Sequence, residues 1–196
     1  MEKITLKELG KIDLNGKIIS FPTDTVYGVG ALISDEEGID KIYELKQRDY
    51  SKPLAVLVSN KEELKNLVED ESLLDKVDKF WPGAITFILK KKNVLDKVTS
   101  GFDTVGVRIP NSKVALEVLK NFGPMAVTSV NISGEDSKLD LEGVTEFNID
   151  YVITDKETSL DISSTVVDIS TDTPIVLREG AITYLELQKE FPNIRK

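Results

Sequence analysis

Residues 17–30, KIISFPTDTVYGVG, combine two features from which the architecture can be inferred. The apolar run from Lys17 to Phe21 ends at Pro22, which predicts a buried strand that enters a loop. The loop carries two threonines, an aspartate and a tyrosine before two glycines. In α/β sheets, binding sites form on loops at strand ends. The segment therefore predicts either a site or an ordinary polar turn, and by itself it does not separate the two.

The remaining sequence alternates short β-branched runs with amphipathic ones. Several predicted strands follow one another late in the chain, so the strict alternation of a doubly wound fold is not expected. The pattern favours an α/β domain in which helices pack against a mixed, twisted sheet. Helices are predicted from caps at Asp35, Asn60, Ser112 and Thr183 and from a start at Ser72. The predicted strands are residues 17–21, 54–58, 85–89, 105–109, 125–130, 151–153, 165–169 and 175–177.

Composition limits the kind of protein and the kind of site. The chain has 196 residues, of which 40% are hydrophobic, and this is enough for one large domain with a substantial core. Its formal charge of −9 argues against general affinity for nucleic acid. The sequence has no cysteine and no histidine, which excludes disulfides, thiolate nucleophiles and histidine-based relays. Any metal would be a hard cation bound by carboxylate or phosphate oxygens.

No part of the sequence indicates export or membrane insertion. Residues 1–10 mix Lys and Glu with isolated apolar residues, unlike a signal peptide. No run reaches the roughly 20 apolar residues that a membrane-spanning helix needs. We therefore expect a cytoplasmic protein with no membrane contact.

Three cations lie close together where a predicted helix ends and a predicted strand begins. Lys46, Arg48 and Lys52 fall within a short stretch of an acidic chain. Arg and Lys side chains hold phosphates, but cations also complement the carbonyl end of a helix. The second explanation covers Lys46 and Arg48 but not Lys52, which lies beyond the helix. The charge contrast with the rest of the chain favours an anion site.

An arginine within an apolar strand is another unusual feature. Arg108 lies in the predicted strand 105–109, and a buried charge needs a partner. That partner is a carboxylate either of the protein or of a ligand, and the residues alone favour the former. Arg178 ends a different apolar strand shortly before a glycine, and there surface ion pairing is a sufficient explanation.

Two further segments place small polar residues at strand ends. Residues 126–134, AVTSVNISG, are followed by Ser137 and could donate several N–H and O–H groups to an anion or form an Asx-type turn. Residues 163–168, SSTVVD, could equally be an ordinary strand entry. The sequence contains neither a P-loop nor a Gly-x-Gly-x-x-Gly motif, so a nucleotide site here would be of another kind.

The order and spacing of these segments resemble the YrdC family of threonylcarbamoyl-AMP synthases. The resemblance extends from Ile18 to Ile182 and implies a single YrdC-like domain over residues 1–196. It also implies an open α/β sheet with flanking helices that encloses a concave, basic cavity. The matching residues are Phe21 to Gly28, Lys46, Arg48, Lys52-Pro53-Leu54, Trp81-Pro82-Gly83, Thr86, Val107 to Pro110, Ser129, Asn131, Ser133, Gly134, Ser164 to Asp168, Leu177, Arg178, Gly180 and Ile182.

The same resemblance implies the substrates and the residues that hold them. The family reaction forms threonylcarbamoyl-AMP and pyrophosphate from L-threonine, bicarbonate and ATP, as the first step of threonylcarbamoyladenosine modification of transfer RNA. Lys46 and Arg48 are expected to be catalytic, with Lys46 beside the phosphates. The expected threonine-binding residues are Thr25, Arg108, Val127 and Ser164. The expected ATP-binding residues are Arg48, Lys52, Thr104, Ser129, Ser137 and Arg178. No residue is expected to bind a metal, and Mg²⁺ would arrive with ATP.

The chain departs from the longer members of that family in two ways. Leu57 stands where they often carry a histidine, so that this threonine contact is missing or replaced. No residues remain for the second carboxy-terminal domain of those relatives, which indicates the short, one-domain type. We therefore expect the product to be handed to a separate transferase complex that acts on transfer RNA.

Two other functions fit parts of the sequence. A basic concavity could contact RNA, although the charge of −9 argues against RNA affinity of the chain alone. A carbamoyl-adenylate-forming domain, related to one in hydrogenase-maturation proteins, would use carbamoyl phosphate instead of threonine and bicarbonate. The acylphosphatase and zinc-finger regions on which such proteins depend are absent from this sequence.

Overall fold

A single mixed sheet organises the molecule. The computed structural model describes residues 1–137 and 140–196, and the strands in them form one ten-stranded sheet. They are β1 (Glu2–Ile4), β2 (Ile19–Phe21), β3 (Gly28–Leu32), β4 (Ala55–Leu57), β5 (Ile85–Lys90), β6 (Thr104–Arg108), β7 (Met125–Ser129), β8 (Tyr151–Ile153), β9 (Thr165–Asp168) and β10 (Ile175–Arg178).

The strand order is β1-β8-β2-β3-β7-β4-β6-β5-β9-β10, with β1 and β10 at the edges. Strand β8 pairs in parallel with β1 and β2, β4 pairs in parallel with β6, and β5 with β9. The other neighbouring pairs are antiparallel. The expected open, mixed sheet with flanking helices is confirmed.

The five predicted helices are all present in the described residues, together with two short ones that were not predicted. The helices are α1 (Glu36–Leu45), α2 (Lys61–Leu64), α3 (Ser72–Val77), α4 (Asp96–Thr99), α5 (Lys113–Phe122), α6 (Leu141–Val144) and α7 (Tyr184–Glu190). The segments Leu6–Lys11 and Asp78–Phe80 are 3₁₀-helical. Within the described parts of the chain, no helix has the length and apolar content that crossing a bilayer requires.

The helix caps follow the sequence with one exception. Ser112 Oγ accepts a backbone N–H in the first turn of α5 at 3.0 Å, and Thr183 and Glu186 form the predicted capping box. Helix α1 begins directly after Asp35 as predicted, but that carboxylate makes no cap bond. It accepts the backbone N–H of Gly16 at 2.6 Å instead, which ties the helix start to the turn before β2.

One face of the sheet packs against most of the helices. Val56, Phe87 and Val107 are register neighbours on β4, β5 and β6, and all three are completely buried. They belong to an apolar cluster that includes residues of α1, α2, α3, α4, α6 and α7. Because side chains alternate along a strand, the residues between them point to the opposite face.

The opposite face is covered over only part of its width. A second apolar cluster joins α5 and the segment Leu6–Lys11 to β1, β2, β7 and β8, and it reaches Leu57 of β4. Among the described residues, none from β5, β6, β9 or β10 belongs to this cluster. The face over those four strands is therefore left without a covering helix.

Candidate functional site

The uncovered part of the sheet forms the floor of a cavity of about 240 Å³. Ala55, Gly106 and Ile88 lie side by side on β4, β6 and β5, and all three line it. The small residues at two of these positions leave the space open. A Cβ at Gly106 would lie 3.2 Å from the methyl carbon of Thr86 on the neighbouring strand. The floor is therefore closely packed between strands, and its open space lies on the cavity side of the sheet.

The loop between β2 and β3 forms one wall. Thr23, Asp24 and Thr25 are 3%, 7% and 2% exposed, and the two threonines line the cavity. The backbone N–H groups of Leu160 and Asp161 donate to the carbonyls of Asp24 and Thr25 at 2.9 and 3.0 Å. The loop is thus held by another segment of chain and is not a freely solvated turn.

Arg108 on β6 is buried beside this loop and has a carboxylate partner in the protein. Its Nη2 donates to Asp24 Oδ1 at 2.6 Å, its Nη1 to Thr25 Oγ1 at 3.0 Å and its Nε to the Gly83 carbonyl at 2.9 Å. Burial lowers the pKa of Arg108, and the charge of Asp24 opposes that shift. The structural partner favoured from the residues is therefore present. The described residues use three of the five guanidinium N–H groups.

Arg48, after α1, and Arg178, at the end of β10, also line the cavity. Arg48 donates to the carbonyls of Lys52 and Pro53 at 3.0 and 2.9 Å, and Arg178 donates twice to the carbonyl of Ser164 at 3.1 and 2.9 Å. In the described parts of the chain neither guanidinium forms an ion pair, so the surface pairing considered for Arg178 is not found. Burial lowers the pKa of both arginines, and the charge of Arg48 lowers the pKa of Arg178 further.

Arginine and lysine are divided between the cavity and the rest of the molecule. The sequence contains four arginines, and Arg48, Arg108 and Arg178 line this one cavity. None of the described lysines lines it, and neither does any described aspartate or glutamate. A guanidinium is a planar fork that binds two oxygens of a carboxylate or phosphate at once. The cavity wall therefore concentrates donors suited to planar oxyanions.

Lys46, expected beside phosphates, does not line the cavity. It is 1% exposed, and its Nζ donates to the carbonyls of Ser129 and Asn131 at 2.5 and 2.9 Å and to Asn131 Oδ1 at 2.6 Å. An ammonium has three N–H groups, so all are used. Burial, and then the charge of Arg48, lowers the pKa of Lys46 to about 8. In this structure Lys46 holds the loop after β7.

Lys52 and Ser137, expected at the ATP site, are not among the cavity-lining residues. The Lys52 side chain is exposed, and it is the Lys52 carbonyl that contacts Arg48. Ser129 does line the cavity, and its Oγ donates to Asn131 Oδ1 at 2.7 Å. The Asn131 amide donates to two main-chain carbonyls of the following turn, so this segment is a compact turn whose first residue faces the cavity.

Ser164, just before β9, lines the side of the cavity that is formed by β5, β9 and β10. Its Oγ lies 3.1 Å from Thr86 Oγ1 and 3.2 Å from the Nη2 of Arg178. All three side chains line the cavity.

The cavity brings together residues of seven strands, β3, β4, β5, β6, β7, β9 and β10, and of their adjoining loops. Eight predicted site residues line the cavity: Thr25, Arg48, Thr104, Arg108, Val127, Ser129, Ser164 and Arg178. Several other lining residues are not among the predicted binding residues: Thr23, Ala55, Thr86, Ile88, Gly106 and Ser163. These residues share a sheet face with Arg108 or adjoin the polar loops. They can be predicted to line the cavity only when the order of the strands is known.

No metal site is evident in the residues that the structure describes. None of their His, Cys, Asp or Glu side chains form a group that could hold a metal ion.

Comparison with known proteins places these features in a family. The sequence model of the Sua5/YciO/YrdC family, described as "Telomere recombination", matches residues 12–180. A threonylcarbamoyl-AMP synthase of Pyrococcus abyssi is 37% identical over 189 residues, which cover 92% of this chain and 55% of the relative. A putative threonylcarbamoyl-AMP synthase of Methanocaldococcus jannaschii is 35% identical over 95% of this chain and 91% of the relative. The chain thus spans about half the length of the first relative and most of the second.

Solved structures agree with this match. P. abyssi Sua5 complexed with L-threonine superposes with a TM-score of 0.90 at 34% identity, over 99% of this chain and 60% of that one. Escherichia coli YciO superposes with a TM-score of 0.79 at 27% identity, over 95% and 90% of the two chains. Full-length HypF shares the fold at 21% identity, with a TM-score of 0.73. By its sequence and its fold, this chain belongs to the Sua5/YciO/YrdC family.

Proposed function

We propose that this chain is an L-threonylcarbamoyladenylate synthase, which forms threonylcarbamoyl-AMP and pyrophosphate from L-threonine, bicarbonate and ATP. The observation that carries the proposal is the convergence of Arg48, Arg108 and Arg178 on one cavity, two of them without a carboxylate partner among the described residues. The relatives named threonylcarbamoyl-AMP synthase and the related structure with L-threonine support this choice of substrates.

Arg48 and Arg178 are the proposed triphosphate-binding groups. The charge of Arg48 lowers the pKa of Arg178, which means that the two cations repel each other across the cavity. Each also keeps N–H groups that no described residue accepts. A phosphate between them relieves the repulsion and accepts charge-assisted hydrogen bonds. The hydroxyls of Thr104 and Ser129 line the same cavity and supply further ATP contacts in this proposal.

Arg108 is the proposed partner of the threonine carboxylate. Asp24 balances its charge, but two guanidinium N–H groups have no described acceptor, and a carboxylate can accept both. Thr25, Val127 and Ser164 line the cavity with Arg108 and complete the proposed amino-acid pocket. The place where longer relatives often carry a histidine is occupied here by Leu57, a buried side chain on the cavity wall.

The reaction suits a site built from fixed donors. The threonine ammonium first loses one proton to solvent. Its nitrogen then forms a bond to the bicarbonate carbon and water is lost, which gives a carbamate. A carbamate oxygen then attacks the α-phosphorus, and the bond to pyrophosphate breaks. Negative charge grows on the phosphate oxygens, and preorganised guanidinium groups stabilise it without a protein nucleophile. A site without cysteine or histidine is adequate for these steps.

Lys46, Lys52 and Ser137 do not line the cavity, and the proposal gives each of them a different part. Lys46 acts by fixing the Ser129 loop against the phosphates, since its three N–H groups are already used. Lys52 is exposed and Ser137 half-buried outside the lining, and both reach ATP only if the bound state moves them. Mg²⁺, when present, is held by the phosphates of ATP, because no carboxylate among the described residues lines the cavity.

The proposal extends to the setting of the reaction. We infer that residues 1–196 act as one YrdC-like domain in the cytoplasm, where ATP and transfer RNA are found. The product is a reactive mixed anhydride, so it is passed to a separate complex that transfers the threonylcarbamoyl group to transfer RNA.

The test is threonine-dependent release of pyrophosphate from ATP in the presence of bicarbonate. We expect turnover that stops when threonine or bicarbonate is omitted. The Arg48→Ala variant should lose about a hundredfold in turnover, the loss implied by removing a charge-assisted hydrogen bond to phosphate. Its thermal unfolding should resemble that of the unchanged protein, since Arg48 forms no ion pair in the described structure.

Arg195→Ala is the matched control, because it removes the fourth arginine, which is exposed and outside the cavity. Full turnover by Arg48→Ala would remove Arg48 from the phosphate site. Turnover with carbamoyl phosphate instead of threonine and bicarbonate would identify the chain as a carbamoyl-adenylate-forming domain.

A further inference from the structure

The hydrogen bonds in the β2–β3 loop fix the direction of one hydroxyl proton. Thr23 Oγ1 lies 2.7 Å from the Val26 carbonyl, which can only accept, so the Thr23 proton is directed there. Thr23 Oγ1 also accepts the backbone N–H of Thr25 at 3.1 Å. A hydroxyl has one proton and two lone pairs. In the 3.0 Å contact between the two Oγ1 atoms, Thr25 must therefore be the donor.

This arrangement leaves the Thr25 hydroxyl with one free lone pair, which can accept one more hydrogen bond. Its proton is committed to Thr23, and one lone pair accepts Arg108 Nη1 at 3.0 Å. Thr23 and Thr25 are 3% and 2% exposed, so bulk water does not compete for these bonds. Because Thr25 lines the cavity, it presents a hydrogen-bond acceptor to a ligand and no donor.

The hydroxyl on the other side of the cavity is not fixed in this way. Ser164 Oγ accepts from Arg178, but in its 3.1 Å contact with Thr86 Oγ1 either hydroxyl can donate. Ser164 can thus turn its proton toward a ligand, whereas Thr25 cannot.

We propose that Thr23 is a positioning residue that holds the Thr25 hydroxyl as an acceptor for an N–H of the substrate α-amino group. The inference rests on the proposed function, in which Arg108 binds the amino-acid carboxylate. The α-nitrogen is bonded to the carbon that carries this carboxylate, and Thr25 Oγ1 lies 3.0 Å from Arg108 Nη1, which puts the nitrogen among the ligand donors nearest to Thr25. Threonine binds as the ammonium, and after the ammonium loses one proton to solvent, donation of a remaining N–H to Thr25 leaves the nitrogen lone pair free to form the bond to the bicarbonate carbon.

The direction of the proton matters for turnover as well as for binding. A Thr25 hydroxyl that donated to the amine would occupy its lone pair and suppress its attack on bicarbonate. Thr23→Val has nearly the same shape as threonine but removes the acceptor, so the Thr25 proton is released toward the cavity. Thr23→Ser keeps the hydroxyl and is the matched control.

The test compares the binding of L-threonine, L-valine and (R)-3-hydroxybutyrate by calorimetry in each variant. The last compound is threonine without its amino group. Thr23→Val should weaken threonine and valine about tenfold or more, the loss of one hydrogen bond to a charged group, and change 3-hydroxybutyrate less than about twofold. Thr23→Ser should behave like the unchanged protein. In turnover, Thr23→Val should raise KM for threonine and lower kcat, and leave KM for ATP unchanged.

Other outcomes overturn the inference in recognisable ways. Equal weakening of all three ligands would mean a general structural role for Thr23, and weakening confined to threonine and 3-hydroxybutyrate would assign Thr25 to the side-chain hydroxyl. If Thr23→Val does not fold, Thr23→Ala is used instead. The measured quantity is then the ratio of the threonine affinity to the 3-hydroxybutyrate affinity, which does not depend on the fraction of protein that is folded. Unchanged protein that binds no threonine and releases no pyrophosphate would refute the proposed function together with this inference. Normal turnover with an unaffected Thr23→Val would refute the inference alone.

Discussion

At the scale of single residues, the pairing of Arg108 with Asp24 shows what a sequence can and cannot predict. Both residues were singled out, one as a charge in an apolar strand and the other within a polar loop. The need for a partner follows from burial alone. The identity of the partner does not, because the two residues meet only through the packing of β6 beside the β2–β3 loop. The chemistry of each residue was therefore predictable, and their contact was not.

Lys46 should lose its proton at a lower pH than the other lysines. Burial lowers its pKa to about 8, whereas an ordinary lysine titrates near pH 10.4. In the protein labelled with ¹³C at lysine Cε, one NMR signal should titrate near pH 8. Its absence from Lys46→Met would assign it. The prediction is wrong if every lysine signal titrates above pH 10.

The same shift has a consequence for stability, with a defined sign. Between about pH 8 and pH 10.4 the unfolded chain keeps the lysine proton and the folded protein has released it. The unfolded state then binds more protons, so the free energy of unfolding rises with pH across this window. The increase relative to Lys46→Met is at most about 3 kcal/mol. A difference between the two proteins that falls as pH rises would contradict the assignment.

At the scale of elements, the prediction failed where periodicity was ambiguous. No strand is predicted at Gly28 and Gly30, which follow the polar loop, but both residues lie in β3. A Cβ at either position would come within 3.0 Å of a Val127 methyl group, so these glycines allow β3 to pack closely beside β7. A strand that contains two glycines has few of the β-branched residues by which strands are recognised. The helix that begins after the Asn60 cap is short: α2 ends at Leu64, and Val68 pairs with Lys91 as an isolated bridge. A short apolar pattern after a cap fits a helix and a turn equally, so the sequence does not fix where such a helix ends.

Strand β6 carries an element-level prediction about Gly106. Gly106→Val should fill the cavity floor and weaken binding of ATP or threonine at least about tenfold. Valine is favoured in strands and its side chain would point into open space, so the free energy of unfolding should change by no more than about 1–3 kcal/mol despite the 3.2 Å approach to Thr86. Calorimetric titration with each ligand and a thermal melt measure the two effects.

Gly10→Val is the corresponding control, since no atom would lie within 4 Å of a Cβ at Gly10 and that residue is exposed, away from the cavity. Undiminished binding by Gly106→Val would show that ligands do not occupy the floor between β4 and β5.

At the scale of the whole molecule, the site depends on which part of a sheet face remains uncovered. Helix α5 was predicted correctly, but the strands that it covers depend on the order β3-β7-β4, in which β7 lies between strands that precede it in the chain. Such long-range pairing is not encoded in any local pattern. The fold class and the polar loops were therefore accessible from the sequence, together with eight of the residues that line the cavity. The floor formed by Ala55, Gly106 and Ile88 was not.

The distribution of charge over the molecule leads to a last prediction, which concerns RNA. Three of the four arginines face the cavity, so 22 cationic side chains elsewhere stand against 34 acidic ones. A field of this sign repels a phosphate backbone at long range. At 150 mM salt, labelled transfer RNA should therefore bind with a dissociation constant weaker than about 10⁻⁴ M, the weak end of ordinary non-specific binding, in a fluorescence-anisotropy titration.

The Arg48→Ala and Arg195→Ala variants separate the two explanations that a positive result would have. Micromolar binding that weakens steeply with salt and is lost in Arg48→Ala, but retained in Arg195→Ala, would mean that RNA enters the cavity. That outcome would favour an RNA-binding module over the synthase if pyrophosphate release were absent as well. Binding lost equally in both variants would instead reflect general charge. The synthase proposal requires neither result, because one triphosphate between Arg48 and Arg178 needs two guanidinium groups and no extended basic surface. Arg108 is buried, so of the three cavity arginines only the half-buried Arg48 and the exposed Arg178 are open to an RNA phosphate.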